Sequence, residues 1–459
     1  MDQSAPANAK VSVGTLLNLA WPIILARATQ AVIGFTDALL TAPLGENALA
    51  AVTTGSLNVL SAIILPMGTV FIVQSFTAQL RGRGDLGAAR RYAVYGLLLA
   101  VLSGLVAAAL TPLVPVLLGK LEYSTEVREL MTEYVSIRLL SVTAAVGMEA
   151  LGNWYGGLGN TRQAMIAGIF AMVANAIGSY ALIEPRFGLP GYGVAGAAWA
   201  SVAASWLGFA VIGYAFVRGH GHDLPPSRFE FKSPEFWRVL RFGIPNGINW
   251  FLEFSAFILY INVVIGHLGT SVLAAFNVVM QLNSISFMPA FGAASAGAIL
   301  VGEAIGARDK ARVGSIVRLT LITNVSWMMS VGLMYLVMPG VWIRLFVPAG
   351  GTSSALLAAG TTMLMMSTIW QLFDAMGLTL SEALRAAGDT TWTMLARIVL
   401  AWFVFSPAAW LAVFVFDGGI ITVMISLIAY IALLALTLVW RFRSRRWEKI
   451  DLIGEPAPL

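Results

Sequence analysis

The chain has 459 residues, of which 58% are hydrophobic and 11% charged, and its mean hydropathy is +0.81. A soluble domain carries roughly 25% charged residues, so this composition excludes a water-soluble globule and predicts an all-α polytopic membrane protein. With no cysteine, and with His220, His222 and His267 in or beside loops, it also excludes disulfides, thiolate metal sites and a histidine-rich metal centre.

Met1 to Lys10 is short and polar and lacks a signal-peptide layout, so the first apolar segment is expected to remain as a helix. Apolar stretches of about 20 residues or more mark spanning helices. Twelve follow in order: 14–41, 47–79, 90–119, 130–156, 162–184, 192–217, 236–266, 270–304, 313–339, 354–386, 391–416 and 419–441. The longest polar connection, 218–235, centres on Gly219-His-Gly-His-Asp-Leu-Pro-Pro226 and reads as a linker. It divides an N-lobe, 14–217, from a C-lobe, 236–441.

The halves repeat. Pro22 and Pro245 are 223 residues apart, as are Pro66 and Pro289. Leu49-Ala50-Ala51 returns as Leu273-Ala274-Ala275 and Gly84-Asp85 as Arg308-Asp309, both at offset 224, and Gly159-Asn160-Thr161 returns as Gly388-Asp389-Thr390 at offset 229. Six helices per repeat keep both lobes in one orientation, the parallel repeat that transporters use.

The basic residues, net +5, follow topology rather than nucleic acid. On the side of both termini stand 22 of the 28, including Arg81, Arg83, Arg90, Arg91, Arg228, Arg238, Arg308, Arg312 and the run Arg441–Lys449. The far side holds five, Lys120, Arg128, Arg138, Arg186 and Arg344, and Arg27 lies within the first helix. This split places both termini in the cytoplasm.

Acids inside apolar helices mark function, because an aspartate at the centre of a membrane helix is unfavourable by about 2.5–3.5 kcal/mol and usually faces a cavity or a partner. The deep ones are Asp37, Glu253 and Asp374. Burial favours the neutral form of a carboxylate, so such a group can take up a proton, hold Na+ with neighbouring oxygens, or attract an organic cation. Glu149 and Glu303 are expected to be solvated near helix ends, Glu382 is undecided, and Asp85, Asp309 and Asp389 fall in loops. By the repeat, Glu253 maps to Gln30, and Tyr260 occupies the position that matches Asp37. Arg27 precedes Asp37 by ten residues, about 15 Å along a helix, too far for a direct pair. Asn175, with Ser179 one turn later, can supply oxygens facing Asp37; the competing reading is an ordinary interhelical hydrogen bond. Met280, Met288, Phe287 and Trp370 give a soft, aromatic lining suited to varied ligands, or simply pack helices.

Taken together, Pro22, Asp37 with Leu44-Gly45 and Ala48-Leu49-Ala50-Ala51, Gly159-Asn160-Thr161-Arg162, Asn175, Gly193-Val-Ala-Gly-Ala-Ala198, Pro245, Glu253, Leu273-Ala274-Ala275, Asp374 and Ala383-Leu-Arg-Ala-Ala-Gly-Asp-Thr390 resemble the multidrug and toxic compound extrusion (MATE) transporters. The likeness spans roughly residues 14–440 and is nearest the bacterial NorM-like branch. It implies a monomeric inner-membrane antiporter with no cofactor, exporting cationic amphipathic compounds through a cavity between two lobes in exchange for H+ or Na+. Asp37 and Asn175 match the family's N-lobe coupling pair, with Na+ able to sit there, and Glu253 and Asp374 match the C-lobe acids. The expected substrate-contacting set is Glu253, Asp374, Gln30, Tyr260 and Gln281, with the methionines and aromatics above. Two positions depart from the pattern: Ser179 stands where some relatives carry a second acid, and Trp370 where a tyrosine is expected. Lipid-linked precursor flippases of the same superfamily use cationic cavities, unlike the deep acids here. A membrane enzyme would need a nucleophile–base set, a metal cluster or paired aspartates, which the sequence lacks.

Overall fold

The computed structural model describes residues 11–120, 122–222, 230–346 and 354–454. Lys10, Arg228 and the rest of 223–229 in the expected linker lie outside them. Among the described residues, twelve helices are long and apolar enough to cross a membrane. They are α1 Val13–Leu44, α2 Glu46–Arg83, α3 Leu86–Leu118, α4 Thr125–Gly157, α5 Arg162–Leu182, α6 Gly193–Arg218, α7 Ser233–Ile265, α8 Thr270–Gly306, α9 Lys310–Val337, α10 Ser354–Ala386, α11 Thr390–Phe414 and α12 Ile420–Arg443.

Helices α3 and α4 start four to five residues before the hydropathy-based bounds, and capping explains why. The Asp85 carboxylate accepts from the Ala88 amide at 3.0 Å, and the Ser124 hydroxyl accepts from the Val127 amide at 3.3 Å. Each satisfies a donor that the first helical turn leaves without an intrahelical partner, so charged first turns are helical although they are not apolar.

The sequence repeat is also a backbone repeat. Gly45 and Gly269 both have φ of 106° at the starts of α2 and α8. Gly84 (φ 80°) and Arg308 (φ 61°) hold the same left-handed position before the matched caps Asp85 and Asp309, and Gly159 (φ 79°) pairs with Gly388 (φ 88°). A left-handed turn is strained for a side chain with a Cβ, which accounts for glycine at all of these positions except Arg308.

The chain forms two compact units. The N-unit comprises 25–254 with 451–459, and the C-unit comprises 1–24 with 255–450. The first part of α7 therefore packs within the N-unit. A Cβ on Gly247 would lie 2.3 Å from the Leu65 carbonyl oxygen, one on Gly243 2.6 Å from that of Thr69, and the Asn246 amide donates to the Gly68 carbonyl at 2.7 Å. Two glycines four residues apart let two membrane helices touch backbone to backbone. The repeat-related contact holds the first part of α1 in the C-unit, where Leu16 and Ala20 bury against Ala293 and Ala296 and a Cβ on Gly292 would lie 2.4 Å from Ile24.

The N-unit core gathers Phe76, Tyr92, Tyr134, Trp154 and Tyr155, with Phe76 stacked on Tyr92 at 4.5 Å. In the C-unit, π-helical turns interrupt α7 at Tyr260–Ile265 and α11 at Val399–Phe405. They meet through Tyr260 and Phe405, whose rings lie 4.9 Å apart.

Candidate functional site

Close helix approach builds the site. A Cβ added at Gly178 would stand 3.1 Å from the Ala200 Cβ, so α5 and α6 are in near contact beside Ser179 and Ser201. One added at Gly168 would stand 2.7 Å from the Thr29 hydroxyl, which brings α1 equally close to α5. At such separations a serine, the shortest hydroxyl side chain, reaches across to a neighbouring helix.

Asp37 lies where these three helices converge. Asn175 Nδ2 donates to Asp37 Oδ1 at 3.1 Å, Ser179 Oγ to the same oxygen at 2.9 Å, and Ser201 Oγ to Oδ2 at 2.8 Å. Asn175 Nδ2 also donates to Ser201 Oγ at 3.0 Å, closing the ring. Asn175 and Ser179 share a helix face because they are four residues apart. Asp37 is 4% exposed, and the three donors are buried with it. All three are neutral, so they solvate the carboxylate without cancelling its charge. Asn175 Oδ1 is buried with no partner among the described residues, which leaves one acceptor available beside the acid.

Sequence reasoning paired Asp37 with Asn175 but missed Ser201. Its signal is faint, because a serine among alanines on α6 also reads as small-residue packing. Its counterpart gives it meaning. Ser426, at offset 225, stands beside the hydroxyl of Tyr260, the residue that matches Asp37. Tyr260 donates to the Val423 carbonyl at 3.0 Å and packs on Phe276 and Phe405. The position that holds a carboxylate in the N-unit thus holds an aromatic core in the C-unit.

The remaining acids fall into two groups. Glu149 does not end in solvent as expected: it is 9% exposed, accepts from Arg27 at 2.7 and 3.2 Å, and accepts from Asn153 at 2.9 Å. Arg27 thus reaches α4 rather than Asp37. Glu382 is buried against Arg385, and Asp389, expected in a loop, is a buried residue preceding α11 that accepts from Arg441 at 2.6 and 3.1 Å. Glu253 is exposed, on the part of α7 that belongs to the N-unit, and Asp374 is half-buried on α10 of the C-unit.

Of the other expected contacts, Gln30, Gln281 and Phe287 are exposed and Met280 and Met288 half-buried. Tyr260 and Trp370 are buried within the C-unit core, at 2% and 4% exposure. One turn before Asp374, Gln371 donates to Asn283 Oδ1 at 3.1 Å, a buried amide pair that the sequence reading did not single out.

A family model described as MatE matches residues 22–181 and 245–411, most of the chain and both repeats. The chain belongs to the MATE family. It is 28% identical over 449 residues to the probable multidrug resistance protein NorM of Pseudomonas putida, covering 96% of this chain and 95% of that one. It is also 28% identical over 407 residues to the multidrug resistance protein PmpM of Pseudomonas aeruginosa, covering 86% and 83%. Among solved structures, a MATE protein in complex with MaL6 aligns with a TM-score of 0.86 at 20% identity over 95% of this chain and 97% of that one. An outward-facing multidrug resistance MATE family transporter of the MOP superfamily aligns at 0.83 and 20%, over 95% and 96%. The protein is a NorM-like MATE transporter rather than an enzyme, with a multi-pass fold placed in a bacterial membrane.

Proposed function

We propose that this MATE protein is an antiporter that exports cationic, amphipathic compounds by alternating access in exchange for H+ or Na+, with Asp37 as the coupling residue. The observation that carries the reading is the Asp37 cluster: one formal negative charge, buried in a membrane helix and hydrogen-bonded by neutral donors, with the Arg138 guanidinium acting on it from a distance. A buried charge of this kind is costly unless compensated, so arrival of one monovalent cation changes its energetics more than any rearrangement of the donors can. A proton can add to either carboxylate oxygen. Na+ would find that carboxylate, two serine hydroxyl oxygens and the free Asn175 Oδ1. Glu253 on α7 and Asp374 on α10 are assigned to the substrate's positive charge, and Gln30, Gln281 and Phe287, all exposed, with half-buried Met280 and Met288, to its remaining contacts. Ion pairing of Arg27 with Glu149 removes a deep positive charge that a cavity for anionic lipid precursors would use.

In this reading the two repeats, 14–217 and 236–441, are lobes joined by the 218–235 linker. The termini are cytoplasmic, the protein works as a monomer in the inner membrane, and the coupling ion is its only co-substrate. One elementary charge crossing 100 mV is worth about 2.3 kcal/mol, enough for one or two ions to drive substantial accumulation. The test is efflux of an amphipathic cationic dye from proteoliposomes under an imposed pH gradient and, separately, an imposed Na+ gradient. Asp37→Asn, Glu253→Gln and Asp374→Asn are expected to fold and to lose gradient-driven efflux. Wild-type rates in Asp37→Asn would overturn the assignment.

A further inference from the structure

Beyond α12 the chain is fastened twice within a few residues. The first anchor is in the C-unit. Trp447 is buried among Ala298, Val313, Leu384 and Leu438, stacks on Phe442 at 5.6 Å and donates to the Phe442 carbonyl at 3.1 Å. Lys310 Nζ donates to the Glu448 carbonyl beside it.

The second anchor is in the N-unit. Leu452 is 1% exposed within the N-unit core, and Ile453 packs against that core. Asp451 Oδ1 accepts from the Gly454 amide at 2.8 Å, and Arg83 Nη1 donates to the Gly454 carbonyl at 2.7 Å. Gly454 is left-handed, with φ of +76°, and a Cβ there would lie 1.8 Å from the Arg238 guanidinium. Arg83 ends α2 and Arg238 lies in the first turns of α7, so both arginines belong to the surface that receives the tail. This seat has an apolar floor for one leucine, a guanidinium on a backbone carbonyl, and a left-handed turn that favours glycine at its end.

Leu452 follows Trp447 at five positions' distance in sequence, so the segment joining them spans at most about 18 Å when fully extended. We propose that Asp451–Gly454 is a releasable latch: seated between Arg83 and Arg238 it restrains the transport cycle, and each cycle that draws the anchors apart must first pull Leu452 from its seat. The restraint on turnover rests on the alternating-access reading; the seat itself does not.

The chain contains no cysteine, so paired labels can be placed without first replacing native thiols. Spin labels at Ile453→Cys and Arg241→Cys, read by pulsed dipolar spectroscopy in proteoliposomes, report the seat directly. A short distance is expected at rest, with a second, longer component once tetraphenylphosphonium and a pH or Na+ gradient are supplied. Leu452→Asp and Gly454→Ala should populate the longer component without any gradient. A single short distance in every condition and variant overturns the latch. In parallel, tetraphenylphosphonium export is measured for wild type, Leu452→Asp, Leu452→Met and a chain ending at Ile450. Release of the latch is expected to raise kcat at least threefold in Leu452→Asp and the shortened chain, with KM unchanged and Leu452→Met behaving as wild type. An unchanged or lower kcat in folded protein overturns it. If wild type exports nothing, the transport reading fails and the distances alone decide the seat.

Discussion

Arg27 and Glu149 form an ion pair inside the membrane spans, and its removal gives the sharpest energetic test of the fold. The Arg27 guanidinium makes two bonds to the carboxylate, and the side chains are 17% and 9% exposed. Glu149→Ala takes this carboxylate from the Arg27 guanidinium, which keeps its position over the Phe71 ring at 5.8 Å as partial compensation. Breaking a buried pair from one side is destabilising by about 3–5 kcal/mol, and a cation–π contact returns about 0.5–1 kcal/mol, so the expected loss is about 3 kcal/mol. Arg27→Met leaves Glu149 with the Asn153 amide as a remaining donor, and a loss of similar size follows. The double change Arg27→Met with Glu149→Leu replaces both charges by apolar groups of comparable bulk and should fall within about 1 kcal/mol of wild type. The single losses therefore should not add. Equilibrium unfolding in mixed micelles, followed by the fluorescence of the 14 tryptophans, measures all four proteins. Glu149→Ala within 0.5 kcal/mol of wild type, or a double variant as unstable as the sum of the singles, would refute the account.

Ser201→Ala removes both bonds that α6 supplies to the Asn175–Asp37 ring, since each runs through the Ser201 hydroxyl. A bond to a charged group is worth about 1.5–3 kcal/mol, so the coupling-ion dependence of export should be displaced tenfold or more, with Ser201→Thr restoring it; an unchanged dependence would exclude Ser201 from the site. Gly247→Ala forces a Cβ to 2.3 Å from a backbone oxygen; overpacking of about 1–3 kcal/mol is expected, read as a lower melting point, and an unshifted melt would show that α2 and α7 can separate there. Tyr260→Phe deletes the bond to the Val423 carbonyl and should lower stability by about 1 kcal/mol while leaving the KM for cationic substrate unchanged; a changed KM would mean that Tyr260 meets substrate.

Much of the fold was legible because apolar length and proline and glycine spacing follow from backbone chemistry. Gly84, Gly159 and Gly388 recur because left-handed turns recur, and Asp85 and Asp309 because third and ninth helices need caps. Asp37 with Asn175 was legible for the same reason: a carboxylate in a membrane helix requires a partner. What escaped were facts of three-dimensional proximity. Nothing in the sequence around Glu149 says that Arg27, 122 residues earlier, lies 2.7 Å away. Nor does the position of Ser201, between Ala200 and Val202 on α6, show which helix its hydroxyl faces. The buried pair of Gln371 and Asn283 has the same character, since each amide alone reads as a tolerable polar residue in a long span.

The comparison of repeats carries the strongest argument for where ion chemistry belongs. Two duplicated sets of helices meet at Asp37, Asn175 and Ser201 in one unit and at Tyr260, Phe405 and Ser426 in the other. The scaffold places both sets equivalently, so helix packing alone cannot require the carboxylate: the C-unit closes the same junction with aromatic rings, a tyrosine bond to a backbone carbonyl, and π-helical turns in α7 and α11. An aromatic junction is the more stable way to fill such a place, because it desolvates no charge. The N-unit retains Asp37 against that alternative and surrounds it with three donors and one free acceptor. Because the matching junction packs without a carboxylate, the proposed ion-binding role of Asp37 accounts for its presence better than packing does.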